Sequence, residues 1–351
     1  MEKVIKTALA SFGMSGQVFH GPTIKVNPNF RISKILERTK NLSEKDYPEA
    51  TIVRSYDEII NDPEIELVIV NTPDTYHYEM AMKALESGKH VVVEKPFTKT
   101  AEEAARLIQL AKENDRILTV YQNRRLDSDF LTVKSLLGAG ILGRLVEFES
   151  HFDRYRNFVR EGNWKETGDE RTGVLFNLGS HMVDQALVLF GDPKAVTCHL
   201  AAHRAGGEVP DYYDIRLHYH GFNVILKSSY LVREPGPRMI LHGTEGSFLK
   251  WGIDQQEALL TAGRLPDEPD WNEESEEWWG TLHTNINGVE YKGKVRTIPG
   301  NFKVFYENLY EAIRHGKELL VKPEESKKVI DVLEACIESN RQRRTIDFKP
   351  S

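Results

Sequence analysis

His90-Val91-Val92-Val93-Glu94-Lys95-Pro96 is the stretch from which the fold can be read. Three valines in a row describe a strand buried on both faces, as in a parallel sheet covered by helices. Glu94 and Lys95 follow at once, and Pro96 has no N–H with which to continue the ladder. Ligands of open α/β sheets sit outside the carboxyl ends of the strands, so Lys95 is a cation at the rim of an expected crevice. Taken alone, these residues also read as a solvated strand end followed by a turn.

The chain on either side of this strand alternates strand and helix patterns. Short apolar strands are expected at Ile5–Ala10, Ile32–Glu37, Leu67–Asn71, His90–Val93 and Ile117–Tyr121. Amphipathic stretches at Tyr78–Glu86 and Ala101–Asn114 lie between them, the second opened by a capping box of Thr100 and Glu103. Such alternation predicts a doubly wound parallel sheet with right-handed crossovers. After Asn123 the pattern changes: Leu145–Phe152, Ala195–Ala201, Ile215–Tyr219, Val224–Tyr230 and Met239–His242 alternate apolar with polar residues, as half-buried antiparallel strands do. The expected architecture is therefore α/β over residues 1–122, followed by an α+β domain over 123–351 with a large, mostly antiparallel open sheet. Leu265–Gly280 is an acidic, tryptophan-bearing insert, expected to be a solvated loop, with a partner contact through Trp278 and Trp279 as the second reading. Two closing helices, Asn301–His315 and Pro323–Arg341, and a last strand at Thr345–Phe348 complete the expectation.

Composition narrows the function classes. A chain of 351 residues exceeds what one core usually serves, which points to two domains. The net charge of −7, with no block of Lys or Arg, gives no pull toward nucleic acid or an anionic membrane. No apolar run is long enough to span a bilayer. The start, M-E-K-V-I-K, reads as a strand with no signal peptide. Cys198 and Cys336 make neither a disulfide framework nor a Cys-rich zinc site, so no metal is expected and a reducing cytoplasm fits.

The first strand ends in Ser11-Phe12-Gly13-Met14-Ser15-Gly16. Against the G-x-G-x-x-G fingerprint, Ser11 replaces the first glycine, while Gly13 and Gly16 hold the second and third. At Gly13 the missing Cβ would let backbone approach a pyrophosphate resting on the helix N–H groups; at Gly16 it would let helix pack on strand. Glu37 follows about 20 residues later at the end of the second strand, where an acid accepts from a ribose hydroxyl. A nicotinamide dinucleotide is the expected cofactor. Glu37 favours NAD, whereas Arg38, Thr39 and Lys40 come next and an arginine there can bind the extra phosphate of NADP. The balance leans to NAD.

With Glu94-Lys95-Pro96, Asn71-Thr72-Pro73 followed by His77, Ala84–His90, and Gly173…Gly179-x-His181-x-x-Asp184, the chain resembles the family that groups glucose–fructose oxidoreductase, inositol dehydrogenases and MocA. Gly13–Pro22, Asn123-Arg124-Arg125 and Phe148–Arg154 make it similar to the branch of scyllo-inositol dehydrogenases. The resemblance implies a Rossmann domain, a second α/β domain, a bound NAD or NADP, and a polyol or sugar substrate. It further implies homodimers or homotetramers built through the second sheet, and a cis Lys95–Pro96 peptide. It assigns cofactor contacts to Phe12, Gly13, Ser15, Gly16, Glu37, Arg38, Thr72, Pro73, His77, Glu94, Lys95 and Asn123.

Oxidising a secondary alcohol requires its proton to leave as hydride goes to the nicotinamide. By resemblance Lys95 would stabilise the developing alkoxide, and His181 would take the proton, as a group titrating near neutrality can. Asn177, His181 and Asp184 are spaced as one polar stripe on a helix, with Leu178, Met182, Ala186 and Leu189 packing inward. Arg124, Arg125, Tyr155 and Trp164 are wall residues by family position, with packing between domains as the competing reading. The family motif usually has aspartate where this chain has Asn177, which cannot supply charge to an imidazolium. The leading expectation is a cytoplasmic NAD(P)-dependent dehydrogenase acting on the CH–OH group of an inositol-like polyol or sugar. The alternatives are an NAD-dependent glycosidase using transient oxidation and a non-catalytic sugar or cofactor sensor.

Overall fold

The computed structural model describes residues 3–160, 162, 166, 168 and 170–351. Trp164 lies outside the described residues. Two compact units are present, and neither is continuous in sequence. One contains the chain up to Leu126 together with Gln255–Asn272 and Asn301–Lys327; the other contains Asp127–Asp254, Glu273–Gly300 and Lys328–Ser351. A single change of domain at 122/123 thus does not describe the path, because two later segments return to the first unit.

The first unit holds six strands: β1 (Ile5–Leu9), β2 (Phe30–Leu36), β3 (Thr51–Val53), β4 (Leu67–Val70), β5 (His90–Val93) and β6 (Leu118–Val120). All are parallel, in the order β3-β2-β1-β4-β5-β6. The valines behave as their composition dictates. Val91, Val92 and Val93 are completely buried, paired with Val68–Val70 of β4 on one side and Leu118–Val120 of β6 on the other. Between its strands this unit carries the helices α1 (Gly21–Lys25), α2 (Asp57–Ile60), α3 (His77–Glu86) and α4 (Ala101–Glu113), and two further helices come from its later segments. α4 begins at the expected capping box: Thr100 Oγ1 accepts from the Glu103 N–H at 3.2 Å while Glu103 Oε2 accepts from the Thr100 N–H at 3.3 Å. β3 has no counterpart in the sequence reading, since its three residues are too few to show a period.

The second unit contains α5 (Ser128–Gly138), β7 (Leu145–His151), α6 (Ser180–Phe190) and the strands β8 (Ala195–Ala201), β9 (Tyr212–His218), β10 (Asn223–Ser229), β11 (Met239–Gly243), β12 (Gly246–Lys250), β13 (Gly280–Ile286), β14 (Val289–Val295) and β15 (Ile346–Asp347). The sheet order is β14-β13-β12-β11-β7-β10-β9-β8-β15, antiparallel throughout except where β10 runs parallel to β7. Alternation sorts its faces: Tyr213, Ile215 and Leu217 of β9 are buried, while Asp214, Arg216 and His218 between them point the other way. At the edge, β15 covers only Ala195 and Val196 of β8. The next free donors, the N–H groups of Cys198 and Leu200, are taken at 2.9 Å by Ser339 Oγ and Asn340 Oδ1. Cys198 and Cys336 are free and buried.

The acidic insert is more ordered than a solvated loop. Glu274 pairs at 2.8 Å with the fully buried Lys250, which also donates to the carbonyls of Trp251 and Trp278. A buried ammonium without such partners would be prohibitively costly, and this fixes the second half of the segment. In the first unit Trp271 is buried and donates to Gln256 Oε1. Trp278 remains largely exposed.

Candidate functional site

In the first unit the candidate residues gather at the carboxyl ends of β1, β4 and β5. The loop after β1 is stitched to Asn71 at the end of β4: Ser11 N–H donates to Asn71 Oδ1 at 3.0 Å, Asn71 Nδ2 to the Ser11 carbonyl at 2.9 Å, and the Ser11 hydroxyl to the Asn71 carbonyl at 2.8 Å. This lashing fixes the turn that precedes a π-helical segment, Ser15–His20. Its two glycines have different reasons. A Cβ on Gly16 would stand 2.7 Å from the Ser11 carbonyl oxygen, so only glycine lets the helical segment pack on the strand end. A Cβ on Gly13 would meet nothing nearer than Ser11 Oγ at 3.9 Å, so the space in front of Gly13 is left open by the protein. Nearby, Thr72 Oγ1 is buried and has no hydrogen-bond partner among the described residues. An open approach to backbone and an orphaned hydroxyl at adjoining strand ends fit a dinucleotide phosphate and its sugars.

Glu37 is at the end of β2, as expected, but its carboxylate has other partners. Oε2 accepts from the Leu42 N–H at 2.8 Å, and Oε1 from the Ser43 N–H at 2.9 Å and the Ser43 hydroxyl at 2.6 Å. Burial works against its charge; the Ser43 hydroxyl, the two N–H groups and Arg54 more than reverse this and hold the carboxyl below its ordinary value. Arg54 braces the same loop through the Glu37 and Lys40 carbonyls. Arg38, Thr39 and Lys40 are exposed beside it.

Lys95 follows β5 and is half-buried, and the Lys95–Pro96 peptide is cis, as the resemblance implied. Glu94 is buried, its Oε2 accepting from the Lys95 N–H at 3.0 Å and its Oε1 lying 3.0 Å from His20 Nε2. Burial raises the Glu94 carboxyl, and the His20 hydrogen bond, aided by the charge of Lys95, brings it below its ordinary value. His77 is buried with Nδ1 2.8 Å from the Pro96 carbonyl and Nε2 3.0 Å from the Thr72 carbonyl, so both ring nitrogens face main chain. It clasps the β4 end to the loop that carries Lys95. Pro73 is exposed and Phe12 buried against Tyr47. Asn123, Arg124 and Arg125 are buried in one short 3₁₀ turn. Arg124 pairs with Glu257 and Arg125 with Glu325, each at 2.7 Å, so both wall arginines are held by acids within this unit.

In the second unit, Asn177 lies in a π-helical turn, Leu175–Gly179, that runs into α6 carrying His181 and Asp184. His181 and Asp184 are buried, as are Leu178, Met182 and Ala186 on the other side. The helix is thus enclosed on both faces and is not simply amphipathic; Leu189 is only half-buried. The Asn177 amide donates to the Tyr230 hydroxyl at 3.3 Å, and the Tyr230 ring lies 4.9 Å from the Arg204 guanidinium. Arg204 is itself held by Glu166 and Asp211. Tyr155 is exposed, capped by Arg233 at 4.3 Å. The reading of the sequence missed Tyr230, His20 and Tyr306, since partners so distant in sequence carry no local signal.

A six-stranded parallel sheet with an open glycine turn at its carboxyl edge, in one chain with a broad antiparallel sheet, is the architecture of a two-domain dinucleotide-binding protein. Residues 5–122 match the oxidoreductase family's NAD-binding Rossmann fold, and residues 134–348 its C-terminal alpha/beta domain. The chain belongs to the Gfo/Idh/MocA oxidoreductase family. It is 43% identical to scyllo-inositol 2-dehydrogenase (NADP(+)) IolW of Bacillus subtilis over 97% of this chain and 95% of that one. It is 39% identical to the uncharacterized oxidoreductase YdgJ of Escherichia coli, over 99% of each. Among solved structures, a chain from Bacteroides fragilis described as an oxidoreductase is 50% identical with a TM-score of 0.91, covering 99% of this chain and 100% of that one. YvaA from Bacillus subtilis, also described as an oxidoreductase, is 40% identical with a TM-score of 0.94, covering 99% of each. No helix among the described residues is long and apolar enough to cross a membrane.

Proposed function

We propose that the protein oxidises a secondary alcohol of an inositol-like polyol or cyclic sugar, with NADP as the preferred cofactor. The observation that carries this reading is the loop after β5, where Lys95 follows the buried Glu94 beside a turn left open at Gly13. When bound, the nicotinamide supplies a two-electron hydride acceptor. Gly13, Ser15 and Gly16 would hold its phosphates, and Thr72 a sugar or phosphate oxygen. Lys95 holds the alcohol oxygen and stabilises the negative charge that develops there. His181 accepts the hydroxyl proton, with Asn177 and Asp184 orienting the ring hydroxyls. Arg124 and Arg125 serve by shaping the wall, since their charges are already balanced by Glu257 and Glu325.

The NADP preference rests on Glu37. Its carboxylate is committed to Leu42 and Ser43, which leaves the exposed Arg38 and Lys40 to meet the adenosine ribose and an added 2′-phosphate. Similarity to a relative named for NADP supports the same choice, as it supports the inositol substrate. Oligomers through the second sheet are part of the proposal and would show as a dimer or tetramer mass in sedimentation equilibrium.

The test is a panel of inositols, aldoses and 1-lactones scored at the reduced-nicotinamide absorbance with both cofactors. Turnover of an inositol with NADP at the higher kcat/KM supports the reading. Release of aglycone from aryl glycosides with no net reduction would replace it with a glycosidase, and binding without turnover with a sensor.

A further inference from the structure

Behind Lys95 stands a row of buried polar side chains with no part in the chemistry above. His20 is completely buried, and so is Tyr306 of α8, the helix after α7 (Gln256–Thr261) that spans Lys303–His315. His20 Nδ1 lies 2.6 Å from the Tyr306 hydroxyl, and its Nε2 lies 3.0 Å from Glu94 Oε1. Glu94 Oε2 then takes the main-chain N–H of Lys95 at 3.0 Å. Each of these groups would be costly to bury alone, yet the row can be satisfied throughout. The Tyr306 O–H donates to Nδ1, the Nε2–H donates to the carboxylate, and one tautomer of His20 is selected. The Tyr121 ring, 4.4 Å from the His20 ring, and the Phe305 ring against Tyr121 wall the row off with aromatic carbon. The row ends on the main-chain N–H of Lys95.

We infer that His20 is a positioning residue for Lys95: backed by Tyr306, it fixes the Glu94 carboxylate, which holds the Lys95 main chain. This rests on the proposed role of Lys95 at the alcohol oxygen. The titratable and charged groups that bear on the row are Lys95 and His77 around Glu94, and the phenols of Tyr121 and Tyr306 around His20. Burial holds Tyr306 well above its ordinary value, so it remains a neutral donor. Without the His20 donor, burial governs Glu94 and it takes a proton more readily. The attraction between Glu94 and the Lys95 ammonium is then weakened, which favours loss of the Lys95 proton at lower pH.

The test compares pH profiles of kcat for the holoenzyme with His20→Leu, His20→Gln, Tyr306→Phe and Lys95→Ala. Glutamine can donate to Glu94 and accept from Tyr306, so it should keep the profile. His20→Leu should bring the basic limb down by about one unit, with KM changed less than kcat. Tyr306→Phe, which removes one hydroxyl and serves if His20→Leu does not fold, should move the limb the same way by less. An unmoved limb in both variants, with Lys95→Ala inactive, overturns the positioning role and leaves the role of Lys95 standing. A Lys95→Ala enzyme with near-normal kcat overturns both.

Discussion

Glu37 Oε1 accepts twice from Ser43, from its N–H at 2.9 Å and its hydroxyl at 2.6 Å. An acid at the end of the second strand of a dinucleotide-binding fold usually faces the ribose; here it caps the first turn of the Leu42–Lys45 3₁₀ helix. Glu37→Ala should therefore cost stability on the scale of a lost cap, about 1–2 kcal/mol, and change the ratio of kcat/KM for NADP and NAD little. Arg38→Ala should lower kcat/KM for NADP by about tenfold, the loss of one charge-assisted contact, and leave NAD nearly unaffected. A Glu37→Ala enzyme that switches cofactor would show that the carboxylate faces the ribose after all.

Lys95→Ala should reduce kcat by roughly 10²–10⁴, the scale of losing one electrostatic or acid–base group. Cofactor binding, measured by quenching of tryptophan fluorescence, should change far less. Near-normal kcat would remove Lys95 from the chemistry.

Asn177→Asp tests what an amide does where the family usually carries an acid. A carboxylate near His181 would stabilise its imidazolium and move the acid limb of kcat/KM upward by about one unit. Tyr230 can donate to the new carboxylate, so the contact at 3.3 Å survives. Activity near pH 9 should persist. Loss of activity at every pH with an unmoved limb would instead make Asn177 a selector of substrate through its N–H₂ group.

His90 sets an acid limit on stability. Its Nδ1 accepts from the Ile117 N–H at 2.9 Å, which requires a neutral ring, and burial pushes its pKa from 6.5 to about 4. A histidine depressed in the folded state contributes nothing above pH 6.5, where both states are neutral. As pH falls from 6.5 to about 4 the unfolded chain binds a proton that the folded one refuses, and stability falls. The full loss is about 3 kcal/mol at ~1.4 kcal/mol per unit. Urea midpoints at pH 7 and pH 4.5 should therefore fall further for the native protein than for His90→Asn, whose amide oxygen accepts without titrating. Equal drops would assign the acid sensitivity elsewhere.

The fold was legible where burial imposes a pattern. Val91–Val93 could only be a strand covered on both faces, and alternation around Tyr213, Ile215 and Leu217 could only be a sheet with one core face. Thr51–Val53 was too short to show a period, and β12 and β13 bury only one large apolar residue each, Phe248 and Leu282, too few to show an alternation. The return of 255–272 and 301–327 to the first unit had no sequence signal, because Glu257 meeting Arg124 is a contact across more than a hundred residues. The same limit applies at the site. Gly13 and Gly16 stood out by position after one strand and Lys95 after another, whereas the Tyr306–His20–Glu94 row exists only once α8 packs against the Ser15–His20 segment.

Transfer of isotope tests the central claim most directly. Scyllo-inositol deuterated at its ring carbons, incubated with the enzyme and NADP, should yield reduced cofactor carrying one deuterium on the nicotinamide ring, with a ketone formed in equal amount. Lys95→Ala should form both at a rate lower by roughly 10²–10⁴. Reduced cofactor without deuterium, or cleavage of a glycoside with the cofactor left oxidised, would contradict the assignment of this protein as a polyol dehydrogenase.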